Sequence, residues 1–180
     1  MLRITIPEQE LYDERTNKII TTKAVTLQLE HSLVSISKWE ARWKKPFISE
    51  SGENNKTTEE TIDYIKCMTI TQNVDPKVYN FLTVENIREI NSYIESPMTA
   101  TTIKETESGK TKKEIITSEL IYYWMVANEI PFECEKWHLN RLLTLIRVCS
   151  IKNTPPKKMS KSEILSRNAK LNAARRKARK

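Results

Sequence analysis

Glycine and histidine are the scarcest informative residues of this 180-residue chain, which contains two of each. Average usage of about 7% would give about a dozen glycines. Gly52 and Gly109 both lie in polar stretches, whereas dinucleotide- and phosphate-binding loops need several glycines beside an apolar strand. The sequence therefore argues against most nucleotide-dependent enzymes. Because His31 and His138 are the only histidines, it also argues against most histidine-dependent enzymes.

Cysteines and long apolar runs are limited as well. Cys67, Cys134 and Cys149 are an odd number of widely spaced cysteines, which argues against a disulfide framework and fits a reducing compartment. The longest apolar run, residues 120–127, is far shorter than the roughly 20 residues of a membrane-spanning helix. The first residues contain no uninterrupted apolar segment of a secretory signal. We therefore expect a soluble protein of the cytoplasm that does not bind membranes.

Basic residues far outnumber acidic ones in the last part of the chain. The formal net charge is +7, but residues 157–180 contain ten basic residues against Glu163 alone. The other 156 residues carry 20 basic and 22 acidic side chains, a net charge of -2. The sequence thus predicts a near-neutral α+β domain over residues 1–153 and a basic C-terminal arm over residues 154–180. The partner-binding candidates on the arm are Arg167, Arg175, Arg176, Lys177 and Arg179.

Two stretches near the N-terminus have the alternating pattern of β-strands. Apolar and polar residues alternate over residues 2–6 and again over 25–29, which predicts two short strands, and the polar residues 8–18 predict a loop. The rest of the chain favours helices. The expected fold class is α+β and mostly α-helical: a small N-terminal antiparallel β-sheet, a helical bundle, and the basic C-terminal helical arm.

Capping patterns predict where four helices begin. Ser32 stands before an apolar helical face as an N-cap, and residues 57–60, 83–86 and 160–163 each place a threonine or serine three residues before a glutamate or asparagine. Side chains of this kind satisfy the free amides of a first helical turn.

Asparagines and prolines predict where helices end. Asn73, Asn128 and Asn153 each precede a proline by two or three residues, and asparagine tolerates the left-handed conformation of a helix cap. Residues 99–113 fit either a hairpin that turns near Gly109 or a loop.

Residues 118–151 carry the strongest helical signal. The run 120–127 is apolar around the whole helix circumference, which is typical of a helix that is central in a fold or lies in an interface. Pro131 is suited to the first position of a following helix, whose apolar stripe comprises Leu139, Leu142, Leu143, Ile146 and Cys149. This pattern predicts two helices joined by a short connection.

Candidate chemistry is sparse. Cys134 and His138 are four residues apart on a predicted helix, the spacing of half a metal site, but zinc needs three or four protein ligands and the remaining cysteines and histidine are isolated. The sequence therefore predicts no metal, no cofactor and no catalytic group. The tryptophans Trp39, Trp43, Trp124 and Trp137 could stack on bases, but their helical spacing favours a core or an interface.

Four segments resemble a known family. Residues 30–40, 98–102, 137–149 and 158–160 are similar, as strings, to small proteins of tailed bacteriophages and prophages that are described as tail assembly chaperones. The likeness extends over most of the chain but defines no active site.

The resemblance implies a non-enzymatic protein of the host cytoplasm. Members of this family hold the long helical tape-measure protein soluble while tail-tube subunits polymerise around it. On that basis the partners are the tape-measure protein and other tail proteins. The candidate contact residues on the domain are Leu120, Trp124, Trp137 and Arg141.

Two other functions fit the same sequence. The chain could be a structural or connector protein of the virion tail, or a nucleic-acid-binding protein that acts through the basic arm. An acidic protein is an alternative partner of the arm, and a homo-oligomer is compatible with an apolar helix in an interface.

Overall fold

The computed structural model describes residues 1–13, 18–48, 56–103, 115–154 and 160–178. It divides into two compact units, Met1–Cys149 and Ser150–Lys180. The fold is α+β and mostly helical, with antiparallel strands at the N-terminus, as the sequence predicted.

Among the residues that the structure describes, four strands form two separate two-stranded sheets. They are β1 (Leu2–Ile6), β2 (Gln9–Asp13), β3 (Lys18–Thr22) and β4 (Val25–Leu29). In the first sheet β1 pairs antiparallel with β4, with Ile4 opposite Leu27, and in the second β2 pairs antiparallel with β3. The paired strands β2 and β3 thus lie between β1 and β4 along the chain.

The loop predicted for residues 8–18 was wrong, because Gln9–Asp13 is a strand. This stretch has little apolar alternation to mark it as a strand. Its pairing with Lys18–Thr22 instead supplies the backbone hydrogen bonds, and such pairing depends on a partner strand rather than on the local pattern.

In the described ranges, six α-helices and two 3₁₀ helices follow the strands. The α-helices are α1 (Leu33–Trp43), α2 (Thr58–Met68), α3 (Val84–Glu95), α4 (Ser118–Ala127), α5 (Leu139–Asn153) and α6 (Lys161–Ala178). The 3₁₀ helices are Pro76–Phe81 and Phe132–Lys136. All four predicted helix starts are confirmed, since Ser32, Thr57, Thr83 and Ser160 each accept a hydrogen bond from a first-turn amide.

The core of the first unit lies between the first sheet and helices α1 to α5. Its largest fully buried side chains are Trp39, Ile4, Ile6, Leu27, Leu29, Leu33, Ile36, Ile65, Met68, Ile90, Ile121 and Met125. Helix α1 packs against both α2 and α4, while α3 packs against β1. Trp39 therefore belongs to the core, as predicted, and its indole nitrogen donates to the backbone oxygen of Glu60 at 2.9 Å.

The segment after α4 differs from the prediction. Pro131 precedes a 3₁₀ helix rather than starting the next α-helix, and α5 begins only at Leu139. Just before α5 the backbone is extended, because His138 forms an antiparallel bridge with Ser32. The Leu139 amide also donates to the His31 backbone oxygen at 2.7 Å. The connection between α4 and α5 is therefore long, and a contact distant in sequence interrupts the helix.

The predicted asparagine caps were correct only in part. Asn73 is left-handed, with φ 57°, but it follows a bend rather than a helix end. Asn128 does cap α4, with φ -104°, and the left-handed residue there is Glu129. Asn153 is the last residue of α5. The hairpin or loop predicted over 99–113 lies mainly outside the described residues, from 104 onward.

Candidate interaction surfaces

Helix α4 has one buried face and one exposed apolar face. Ile121 and Met125 are fully buried, whereas Tyr123 is 65% and Val126 is 60% exposed. The helix is therefore not central in the fold. The apolar residues on its inner face belong to the core, and those on its outer face are exposed.

The exposed apolar side chains continue from α4 onto the following 3₁₀ helix. Phe132 is exposed, and its ring centroid lies 6.4 Å from that of Tyr122. We use the name α4 outer surface for Tyr122, Tyr123, Val126 and Phe132. Clustered exposed apolar side chains of this kind mark interaction sites more often than isolated ones do.

A buried carboxylate anchors the start of α4. Glu40 of α1 is 8% exposed and accepts hydrogen bonds from the Ser118 amide at 2.8 Å and from the Ser118 hydroxyl at 2.5 Å. Its other oxygen accepts from the Phe47 amide at 2.8 Å. Because Ser118 is held on this inner side, Tyr123 and Val126 face outward.

Acidic residues border the α4 outer surface. Glu119, Glu129 and Glu133 are exposed, and residues 118–135 contain no basic residue. A backbone hydrogen bond at Glu119 holds the pKa of its carboxyl below the ordinary value, so this side chain stays ionised at neutral pH. The surface is therefore apolar at its centre and negative at its border.

Tyr122 joins the apolar centre to the acidic border. Its hydroxyl donates to the Glu135 carboxylate at 2.8 Å. Burial, followed by this hydrogen bond, raises the pKa of Tyr122, so the hydroxyl remains a donor at physiological pH. The contact fixes α4 to the 3₁₀ helix Phe132–Lys136 through side chains as well as through the backbone.

The four candidates predicted on the domain form two pairs. Leu120 and Trp124 are both half-buried and lie one turn apart on α4. Trp137 lies two residues before α5 and Arg141 in its first turn, and the Arg141 guanidinium stands 4.3 Å from the Trp137 ring centroid. Trp124 and Trp137 also pack against the core, so they present only part of their surface to a partner.

Sequence reasoning missed the most exposed residues of this surface. It singled out Leu120 and Trp124 rather than Tyr123, Val126 and Phe132. An apolar run without polar interruptions carries no information about which side of the helix is buried. The available signal was Ser118, because a small polar residue can face inward only when it finds a hydrogen-bond partner such as Glu40.

The two histidines form a buried pair inside the first unit. His31 and His138 are 3% and 6% exposed, and their ring centroids lie 5.0 Å apart. His31 Nδ1 shares a 2.5 Å hydrogen bond with the Tyr64 hydroxyl, and His138 Nε2 lies 2.9 Å from the Tyr93 backbone oxygen. Burial lowers the pKa of both rings, that of His31 to about 3. Both are therefore neutral at physiological pH and engaged inside the fold.

The structure does not place Cys134 and His138 on one helix face, the arrangement that their spacing of four residues suggested. Cys134 lies in the 3₁₀ helix and His138 in the extended bridge, so the two are not on one helix. Burial raises the pKa of the Cys134 thiol, which disfavours the thiolate that binds metals. Within the described ranges, no group of three potential ligand side chains could hold a metal ion.

The second unit presents the basic residues. Every described side chain of α6 is exposed, including Arg167, Arg175 and Arg176. Lys177 lies within α6, but its side chain is outside the described part, as is Arg179 altogether. A capping box starts the helix, since the Ser160 hydroxyl accepts from the Glu163 amide and the Glu163 carboxylate accepts from the Ser160 amide.

Comparisons with known proteins return no match: no family model, no curated protein and no solved structure is similar to this chain. Among the helices that the structure describes, none combines the length and apolar character needed to cross a bilayer.

Proposed function

We propose that this chain is a non-enzymatic tail assembly chaperone of a tailed bacteriophage. In this proposal it acts in the host cytoplasm and binds the tape-measure protein while tail-tube subunits assemble. The single observation that carries the proposal is the α4 outer surface, an apolar patch on a helix whose other side is already used by the core. The resemblance of four sequence segments to phage tail chaperones supplies the identity of the partner.

The surface favours a helical partner of defined character. Tyr123 and Val126 are three residues apart on one face, and Phe132 extends that face beyond the end of α4. An amphipathic helix can lay its apolar stripe along such a row. Because Glu119, Glu129 and Glu133 border the row, the best partner segment carries basic residues on both sides of its stripe.

The buried groups are consistent with a binding protein. His31, Tyr64, Tyr93 and His138 are the side chains best suited to acid–base chemistry, yet each is buried and hydrogen-bonded within the core. A substrate would have to displace core packing to reach them. Their role in the proposal is to fix α1, α2 and α3 relative to the start of α5.

Co-expression with the tape-measure protein of the same genome tests the proposal. We expect the chain to keep that protein soluble and to co-purify with it. The double variant Tyr123→Asp/Val126→Asp should lose both effects while retaining its far-ultraviolet circular dichroism. Ile70→Asp/Val84→Asp is the matched control, because it places two carboxylates at exposed apolar positions elsewhere.

Two outcomes would contradict the proposal. The first is a Tyr123→Asp/Val126→Asp variant that solubilises the tape-measure protein as well as the parent does. The second is the presence of the chain in purified phage particles at a fixed number of copies by mass spectrometry, because a chaperone leaves before the tail is complete. That result would favour a structural protein of the tail.

A further inference from the structure

The basic residues of α6 lie on all sides of the helix rather than along one face. Residues nine apart in an α-helix lie on opposite sides, since nine residues make two and a half turns. Lys161 and Lys170 are such a pair, and so are Arg167 and Arg176. The two pairs are rotated by roughly 60° relative to each other. Positive charge therefore surrounds the helix axis.

Apolar residues of α6 do not form a protein-binding stripe. Ile164 and Leu171 share one side, but Arg167 and Arg175 lie on either flank of it, and Leu165 lies elsewhere on the circumference. All described side chains of the helix are exposed. By contrast, α1 buries Leu33, Ile36 and Trp39 along one continuous side, as a packed helix does.

This distribution of charge selects among anionic ligands. An acidic protein surface faces a docked helix from one side only, so cations on the far side would gain nothing. The major groove of duplex DNA is about 12 Å wide, accepts a helix about 10–12 Å in diameter, and has a phosphate backbone along each wall. The eighteen residues of α6 span about 27 Å, the length of about eight base pairs.

We infer that α6 is a binding site for duplex DNA that lies in the major groove and contacts the phosphates of both walls. The binding is independent of base sequence, because lysine and arginine contacts to phosphates position a protein without distinguishing bases. The inference does not depend on the proposed tape-measure partner, since it concerns a different element and a different ligand.

Charge variants of the full chain give the first test. A 24-base-pair DNA duplex of mixed sequence is titrated at 50–200 mM salt. Contact with five phosphates predicts a slope of about -4.5 for log K against log salt, a loss of about 500-fold over this range. Lys170→Gln/Arg176→Gln should make the slope shallower by about 1.8. The control Lys77→Gln/Arg88→Gln removes two exposed charges from the first unit and should leave the slope unchanged.

A helix-breaking variant separates groove binding from simple attraction between opposite charges. Ala169→Pro keeps every charge but removes an amide and clashes in the middle of α6. We expect it to weaken duplex DNA binding at least tenfold, whereas Ala169→Ser should bind like the parent. Equal affinity of the proline variant would overturn the inference.

The choice of polyanion gives the last test. An RNA duplex of the same sequence has a deep, narrow major groove that a helix cannot enter, so it should bind at least tenfold more weakly than DNA. Single-stranded DNA and polyglutamate of equal charge should also bind more weakly. Equal binding of the RNA duplex or of the single strand would overturn the groove geometry. Tighter binding of polyglutamate would assign the helix to acidic proteins instead.

Discussion

Individual buried polar residues determine how the stability of the first unit depends on pH. His31 is 3% exposed, contacts the rings of Tyr64, Phe47 and His138, and shares a hydrogen bond with the Tyr64 hydroxyl. Burial, then the charges of His138 and Lys56, lowers the pKa of His31 from 6.5 to about 3. A charged imidazole is therefore excluded from the native core, and protonation favours unfolding.

The unfolding free energy should fall as the pH is lowered, because His31 binds a proton more readily in the unfolded chain. Above pH 6.5 the ring is neutral in both states and contributes nothing. As the pH falls from 6.5 toward 3, the unfolded chain binds a proton that the folded chain does not, so stability is lost across this window. Between pH 7.5 and 5 the loss is about 2 kcal/mol. Urea unfolding at both pH values measures it.

His31→Gln provides the control, because glutamine cannot titrate in this range. The variant should lose about 2 kcal/mol less than the parent between the two pH values, whatever its absolute stability. Parallel pH profiles of the two proteins would show that His31 does not titrate on unfolding.

The Glu40 carboxylate is the second sensitive residue. Glu40→Gln replaces an acceptor oxygen by an amide group that would face the donors on Ser118 or Phe47. We expect the unfolding free energy to fall by about 2–4 kcal/mol, because buried donors lose their charged partner. Glu59→Gln, at an exposed position of α2, should change it by less than about 0.5 kcal/mol. Equal effects of the two variants in chemical denaturation would remove Glu40 from this role.

Secondary structure elements show the consequences of a chain with so little glycine. Four non-glycine residues in the described ranges have positive φ: Lys44, Asn73, Met98 and Glu129. Lys44 caps α1 at φ 56°, and its backbone amide donates to the backbone oxygen of Glu40 at 2.8 Å. An L-residue with a β-carbon pays about 1–2 kcal/mol for this conformation.

Lys44→Gly should therefore stabilise the protein. We expect the unfolding free energy to rise by about 0.5–1 kcal/mol, since glycine removes the steric penalty but adds flexibility to the unfolded chain. Lys44→Ala removes the same exposed side chain without relieving the backbone and should not be stabilising. Thermal melts of the two variants make the comparison, and a midpoint for Lys44→Gly no higher than that of Lys44→Ala would refute the expectation.

Helix α5 allows the depth of the apolar stripe to be measured. Leu142 is fully buried, whereas its neighbour Leu143 is half-buried. Leu142→Ala should lower the unfolding free energy by about 2–5 kcal/mol, the usual cost of a leucine-sized cavity, and Leu143→Ala by about half as much or less. A reversed order in urea unfolding would mean that the helix is rotated about its axis.

The helix starts, which depend on contacts within four residues, were predictable from the sequence, whereas the break before α5, which depends on a distant contact, was not. Ser32, Thr57, Thr83 and Ser160 were assigned correctly as caps because each bond closes within one helical turn. The break before α5 was missed because it depends on Ser32, 106 positions from His138.

The same distinction applies to the candidate surface. The apolar character of residues 120–127 was evident, but the side that faces the core is set by Glu40, 78 residues before Ser118. A helix sequence that is apolar on every side indicates that apolar residues will be exposed, but not which of them. The basic arm needed no such distant contact, so the start of α6 and its content of cations both followed from local sequence.

At the scale of the whole molecule, α6 adds charge without adding buried surface. Its described side chains are all exposed, so it contributes little hydrophobic stabilisation. A chain that ends at Thr154 loses ten basic residues and one acidic residue, and its formal charge changes from +7 to -2. We expect its thermal midpoint to match that of the full chain, with electrophoretic mobility reversed in sign. A lower midpoint or a broader transition would mean that the arm supports the first unit.

The bridge between Ser32 and His138 also imposes an order of events during synthesis. Residues 31 and 32 join β4 to α1, and their partners in this bridge come from a distant part of the chain. They pair with the backbone of 138 and 139, including the 2.7 Å bond from the Leu139 amide to the His31 oxygen. A ribosome delivers residue 31 long before residue 139. The β1–β4 sheet and α1 can thus form early on the nascent chain, but the contact between the two histidines cannot form until translation has passed α4. The contact that covers His31 therefore waits for the arrival of residues 138 and 139.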